Sequence, residues 1–193
     1  MTQLIEALSY PFVQRAIAAG VMISLCAALL GVILVLKRYS LIGHGLGDVG
    51  FASTSLAVAL GLPVMAVSIP IVVVAACLIM FWSQRSKTGG DTAIGMVATG
   101  ALSIGVIITA MSSGFNVDVN GYMFGSILAM SRDDVVFSVV LSIVILVLFI
   151  LFYNRLFLIT FDENFAKASG INVGFYQFLI ALLTALTVVM GMR

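Results

Sequence analysis

The sequence predicts an all-α fold, a polytopic transmembrane helical bundle of about six spans with a short re-entrant or interfacial helix and one short cytoplasmic helix. Composition points there first. Hydrophobic residues make up 62% of the 193-residue chain and charged residues 9%, where a soluble domain carries about 25% charged. The mean hydropathy is +1.24. The second observation is that the apolar residues fall in runs of the roughly 20 residues a helix needs to cross a bilayer. The third is that the polar breaks between runs are short, so all 193 residues form one membrane domain with no soluble module.

Residues 1–12 form a short amphipathic lead-in, with Pro11 suited to the first turn of a helix. The lead-in has an acid, no basic n-region and no following cleavage site, so the first run, Phe12 to Leu36, is a retained span and not a signal peptide. It ends at Lys37-Arg38. From Val49 to Ser83 no charge occurs, and Gly61-Leu62-Pro63 is the only break. The stretch Val49–Gly61 has 13 residues and reaches about 20 Å at 1.5 Å per residue. A hydrocarbon core of about 30 Å requires the second span to start near Ser40. That length argument draws His44 and Asp48 into the membrane, in the inner half of the helix.

The third span is Pro63–Trp82, with Pro70 inside it as a kink candidate. A loop with Arg85 and Lys87 follows, then a fourth span, Asp91–Met111, whose Gly95, Gly100 and Gly105 allow close helix contact. Tyr122–Met130 is apolar but too short to span, and is read as the re-entrant or interfacial piece. The fifth span is Val135–Tyr153, the most uniformly apolar and expected to face lipid. Residues 158–172 make a cytoplasmic-looking segment before a last run from Val173.

Basic residues set the orientation. Alternation from Lys37-Arg38 puts Arg85, Lys87, Arg155 and Lys167 on that same side, against Arg132 on the other, so the first group lies in the cytoplasm. The net charge of +1 gives no reason to expect nucleic acid. Cys26 and Cys77 lie far apart in apolar runs and read as small buried residues.

The chemistry concentrates in LIGHGLGDVGFASTS, Leu41 to Ser55, which holds the chain's single histidine. His44 and Asp48 stand at i, i+4 and share a helix face. Imidazole and carboxylate together suit a borderline divalent ion. They equally suit a proton relay or a structural ion pair. Gly43 and Gly47, with Gly50 on a neighbouring face, are candidate helix-packing positions. Asn116, Asp118 and Asn120 alternate in the expected outer loop, either as oxygen ligands for an arriving cation or as turn formers. In FDENFAKASG, residues 161–170, Asp162 can cap a short helix, Lys167 suits its C-terminal end and Gly170 the C′ position. Such a helix either docks on another protein through its aromatics or lies on the lipid surface. No GxxxxGK[ST] occurs, so any ATP energy must come from a partner, and with no HExxH or Gly-x-Ser-x-Gly the chain is not expected to be an enzyme.

Four motifs, GHGLGDVGF (43–51), GGDTAIG (89–95), DVNGYMFGSIL (118–128) and FDENFAKASGI (161–171), resemble those of the membrane permease of bacterial metal-ion ABC importers of the zinc/manganese/iron type. The resemblance runs across nearly the whole chain. It implies a multi-pass protein of the bacterial inner membrane with no permanently bound cofactor. Its cargo would be a divalent metal, zinc first with manganese or iron next. Its partners would be cytoplasmic ATP-binding subunits, an extracellular or periplasmic metal-binding protein and a second permease copy. It further implies that Phe165, Ala166, Ala168 and Gly170 belong to the coupling helix that meets the ATPase. The family pattern has Asp then His in the first motif; here His44 and Asp48 stand in the reverse order. Family permeases also continue past Arg193 with further spans, so the chain is expected to be incomplete at its C-terminus.

The function expected is thus a permease that hands a metal along His44 and Asp48, with Asp118 and Asn120 near the entrance. The rivals are an ATPase-independent ion- or proton-coupled carrier and a non-transporting truncated membrane protein.

Overall fold

The computed structural model describes residues 10–85, 90–111 and 132–192. These form seven helices in chain order: α1 Pro11–Leu36, α2 Ile42–Ala59, α3 Val64–Arg85, α4 Gly90–Met111, α5 Arg132–Phe161, α6 Glu163–Ala168 and α7 Val173–Gly191. Among the described residues there is no strand. Five helices, α1, α3, α4, α5 and α7, are long and apolar enough to cross a membrane. The sixth, α2, is 18 residues long, about 27 Å at 1.5 Å per residue, so it matches the hydrocarbon thickness in length while being too polar by composition.

The bundle covers one side of that polar helix, Asp48 included. α2 packs along α4 and α3 and touches α7. α7 is the most enclosed of the apolar spans and packs on α3, α1 and α5. Its Leu179, Ile180, Leu183 and Val189 join Leu30 and Ile33 of α1, Val72 and Ile79 of α3, and Ile145 and Phe149 of α5 in one buried core. α4 and α5 lie at opposite edges of the arrangement. Hydroxyls inside it are bonded: Thr184 and Thr187 donate to the carbonyls of Ile180 and Leu183 four residues back. This is how polar side chains are tolerated where no water is available.

Turns end the helices by a common device. After α1, Arg38 adopts φ 61°, the Tyr39 N–H donates to Leu34 O at 2.8 Å and the Arg38 N–H to Val35 O at 3.0 Å, a left-handed cap of the Schellman type. Gly61 and Gly170 do the same after α2 and α6 at φ 66° and 76°. These positions require the left-handed region, which glycine enters freely and arginine at a cost.

One expectation changes. α5 runs 30 residues, about 45 Å, and carries the fifth span beyond Tyr153 and Asn154-Arg155 to Phe161. The polar dipeptide does not end it, because Arg155 Nη1 donates to Tyr176 Oη of α7 at 2.9 Å. A ladder of rings at i, i+4 continues through Phe149, Tyr153, Phe157 and Phe161. Pro70 lies within α3, which is assigned as one helix from Val64 to Arg85. The Tyr122–Met130 piece, with Asp118 and Asn120, lies outside the described residues.

Candidate functional site

α2 starts at Ile42 with Leu41 as its N-cap residue, and Leu41 has no side chain to cap with. His44 and Asp48 therefore sit in the first two turns. His44 Nε2 lies 3.8 Å from Asp48 Oδ2, as the i, i+4 spacing requires. Their surroundings differ. The Asp48 side chain is 11% exposed and the His44 ring 82%. The helix thus holds the carboxylate against the bundle and aims the imidazole outward. Atoms 3.8 Å apart can both reach one ion, since nitrogen and oxygen ligands bind transition metals at about 2.0–2.2 Å. Among the described residues no group of three His, Cys, Asp or Glu could hold a metal. The site offers two ligands, few enough for an ion to leave again.

The glycines divide differently from the sequence expectation. A Cβ on Gly43 or Gly47 would meet nothing within 4 Å among the described residues, so neither packs against a described helix. Gly50 abuts the flexible end of Met192. The close approach is at Gly45, where a Cβ would lie 2.5 Å from Ile94 Cγ2, and at Gly105 of α4, where it would lie 2.9 Å from Ala52 Cα. Gly95 and Gly100 face open space. The contacts Gly45 with Ile94, Ala52 with Gly105 and Ser55 with Thr109 (3.1 Å) show that α2 and α4 run parallel. The His44, Gly43 and Gly47 side of α2 is left uncovered by the described residues, and α4 exposes Thr92, Met96, Thr99 and Ser103 on the face opposite Ile94 and Gly105. The Thr99 and Ser103 hydroxyls bond carbonyls of their own helix.

At the end of the bundle where α1 finishes stands α6. Asp162 caps it by accepting from the Phe165 N–H at 2.9 Å, and Gly170 closes it in the left-handed region. Glu163 accepts from Lys167 Nζ at 2.7 Å and from Gln177 Nε2 of α7 at 3.2 Å. Burial pushes the Lys37 ammonium below its ordinary range, the Glu163 carboxylate pulls it up and Lys167 pushes it down. Ala166 is fully buried and is the residue that seats α6. Phe165 and Phe161 are 57% and 63% exposed, and Ala168 and Gly170 are exposed as well. α6 therefore presents an aromatic face while salt-bridged and hydrogen-bonded behind.

A model of the ABC 3 transport family matches residues 9–193. The chain belongs to that family. The manganese transport system membrane protein MntC of Halalkalibacterium halodurans is 29% identical over 188 residues, which cover 97% of this chain and 64% of that protein. The high-affinity zinc uptake system membrane protein ZnuB of Haemophilus influenzae is 30% identical over 184 residues, 92% of this chain and 68% of that protein. The solved structure of PsaBC from Streptococcus pneumoniae in complex with Fab superposes on the whole chain with a TM-score of 0.83 at 28% identity, covering 69% of its own chain. This ABC 3 family chain spans about two thirds of the length of its curated relatives. It is an integral, multi-pass membrane protein by its helices and its family.

Residues that sequence reasoning passed over are Gly45, Asp91, Arg155, Tyr176 and Gln177. Asp91 was visible only as part of the GGDTAIG motif; its partners are about 50 residues away.

Proposed function

We propose that the chain is the membrane-spanning permease of an ATP-driven importer that moves a divalent transition metal, manganese or zinc, into the cell. The observation that carries the reading is the His44–Asp48 pair, one partner enclosed and one open, on a helix too polar to face lipid, in a chain of this family. Two relatives are named for manganese and zinc transport. The expectation that put zinc first is broadened. One imidazole with one carboxylate and no thiolate suits both ions.

In this reading the metal passes along the uncovered side of α2, which a second permease copy closes. Aqueous polar groups there are shielded from lipid by that copy. Asp118 and Asn120 receive the ion on the outer side, where a binding protein delivers it. ATP-binding subunits dock on α6, with Phe165 as the inserted side chain and Ala166, Ala168 and Gly170 shaping the helix around it. The cytoplasmic assignment of that end follows its basic residues Lys37, Arg38, Arg155 and Lys167.

The test is metal uptake by permease-deficient cells expressing the full-length protein. His44→Ala and Asp48→Ala are each expected to lower uptake at least tenfold at unchanged membrane abundance. Wild-type uptake by both removes the pair from the path. Competition between manganese and zinc in the same cells fixes the preferred cargo. An ATPase-independent carrier would keep transporting when the ATP-binding subunit is deleted.

A further inference from the structure

α2 begins without a cap of its own. A helix leaves its first N–H groups without intrahelical partners, and sequences commonly answer with a polar N-cap residue and an acid at N3 that reaches back to the N-cap N–H. Here the N-cap residue is Leu41 and position N3 is His44. The acid comes from elsewhere. Asp91, in the first turn of α4, accepts from the Leu41 N–H through Oδ1 at 3.2 Å. Its Oδ2 accepts from Ser40 Oγ at 3.4 Å. The residue before it supplies the room: a Cβ on Gly90 would lie 2.8 Å from Arg38 O and from the Tyr39 ring. Gly90 and Asp91 thus act together, one letting the α1–α2 turn press against α4 and the other fastening it.

The parallel run of α2 and α4 explains why a single carboxylate serves. Parallel neighbours bring two helix N-termini, each equivalent to roughly half a positive charge, side by side. Asp91 lies between them, in the first turn of one and bonded to the N-cap of the other.

We propose that Asp91 is a positioning residue for the metal pair: it supplies in trans the carboxylate that a helix start of this kind takes from N3, and so leaves N3 free to carry an imidazole. This rests on the transport reading only for what His44 then does; the cap itself does not.

A melting cycle on the full-length permease in lipid nanodiscs, paired with uptake in cells, tests it. Asp91→Ala is expected to lower the melting temperature by about 2–4 °C, the shift of a lost cap, and to lower uptake about tenfold at equal membrane abundance. Asp91→Asn is expected to recover most of both, because its amide oxygen still accepts from Leu41. In the Asp91→Ala background, His44→Glu is expected to restore melting, by returning a carboxylate to N3, and to leave uptake abolished. The tenfold loss of uptake at equal membrane abundance in Asp91→Ala is the readout that a purely structural role for Asp91 would not produce. Wild-type melting of Asp91→Ala, or additive losses in the double variant, overturns the cap in trans. Equal defects in Asp91→Asn and Asp91→Ala overturn the acceptor role. Should the cycle hold while His44→Ala transports normally, the transport reading fails and the cap stands.

Discussion

Gly45 and Gly47 differ by two positions in sequence and by everything in consequence. The Cβ that Gly45→Ala adds would lie 2.5 Å from Ile94 Cγ2 and 3.6 Å from the Ile94 carbonyl. The substitution is expected to destabilise the protein by about 1–3 kcal/mol, the usual cost of overpacking. Ile94→Ala in the same background removes that Cγ2 and should recover part of it. Gly47→Ala meets nothing and should be neutral or stabilising by up to about 1 kcal/mol through helix propensity. Thermal melting in nanodiscs separates the two, and loss of uptake without loss of stability in Gly47→Ala would mark its open side as functional. The sequence displayed a glycine-rich patch but not which glycine packs, because that depends on the rotation of α2 against α4, a helix about 50 residues further on. His44 and Asp48 were legible for the opposite reason: span length is a local property, and it alone required the helix to begin before them.

At the scale of the element, α6 was read nearly as it stands. Its cap, its Glu163–Lys167 pair and its Gly170 terminator all act within ten residues. Asp162→Ala is expected to cost about 1 kcal/mol of local stability and to speed amide exchange across 163–168. Phe165→Asp should leave the fold intact, since the ring is largely exposed, and abolish co-purification with the ATP-binding subunit. What the local signals withheld was the seat of the helix, the Glu163–Gln177 bond. The same carboxylate faces Lys37, whose proton burial makes easier to lose. An unfolded chain holds that proton up to 10.5 and the folded one releases it sooner. In that alkaline window the unfolded state binds more protons, so stability rises with pH. Lys37→Met is expected to flatten the rise in a melting series. α5 misled for a related reason: Asn154-Arg155 has the composition of a helix end, and only the Tyr176 hydroxyl, on a different helix, accounts for Arg155 in mid-helix.

Over the whole molecule the two edges have different neighbours. The α5 edge exposes Val147, Ile150 and Leu151, the last at 70%, a surface suited to lipid. The α4 edge, the least enclosed of the apolar spans, mixes exposed Thr92, Thr99 and Ser103 with Met96 and Ile107. In a full-length protein whose native cysteines are replaced, Ser103→Cys is expected to react with a charged, water-soluble thiol reagent at least tenfold faster than Leu151→Cys. Equal rates would place both edges in lipid. The number of spans and their order came from hydropathy and turn residues, and the uniform apolarity of the fifth span pointed it at lipid; which face of α4 is left open required the packing, because that depends on how α2 covers it.

The polarity of α2 also bears on how the protein is made. The five other spans have the composition to partition into a bilayer as they leave the ribosome. α2 carries His44 and Asp48 in its first turns and does not, and the helix that shelters it, α4, is synthesised about 50 residues later. A chain ending after Trp82 is expected to insert α2 less completely than one that includes α4, which a glycosylation-site reporter in the α2–α3 turn would read.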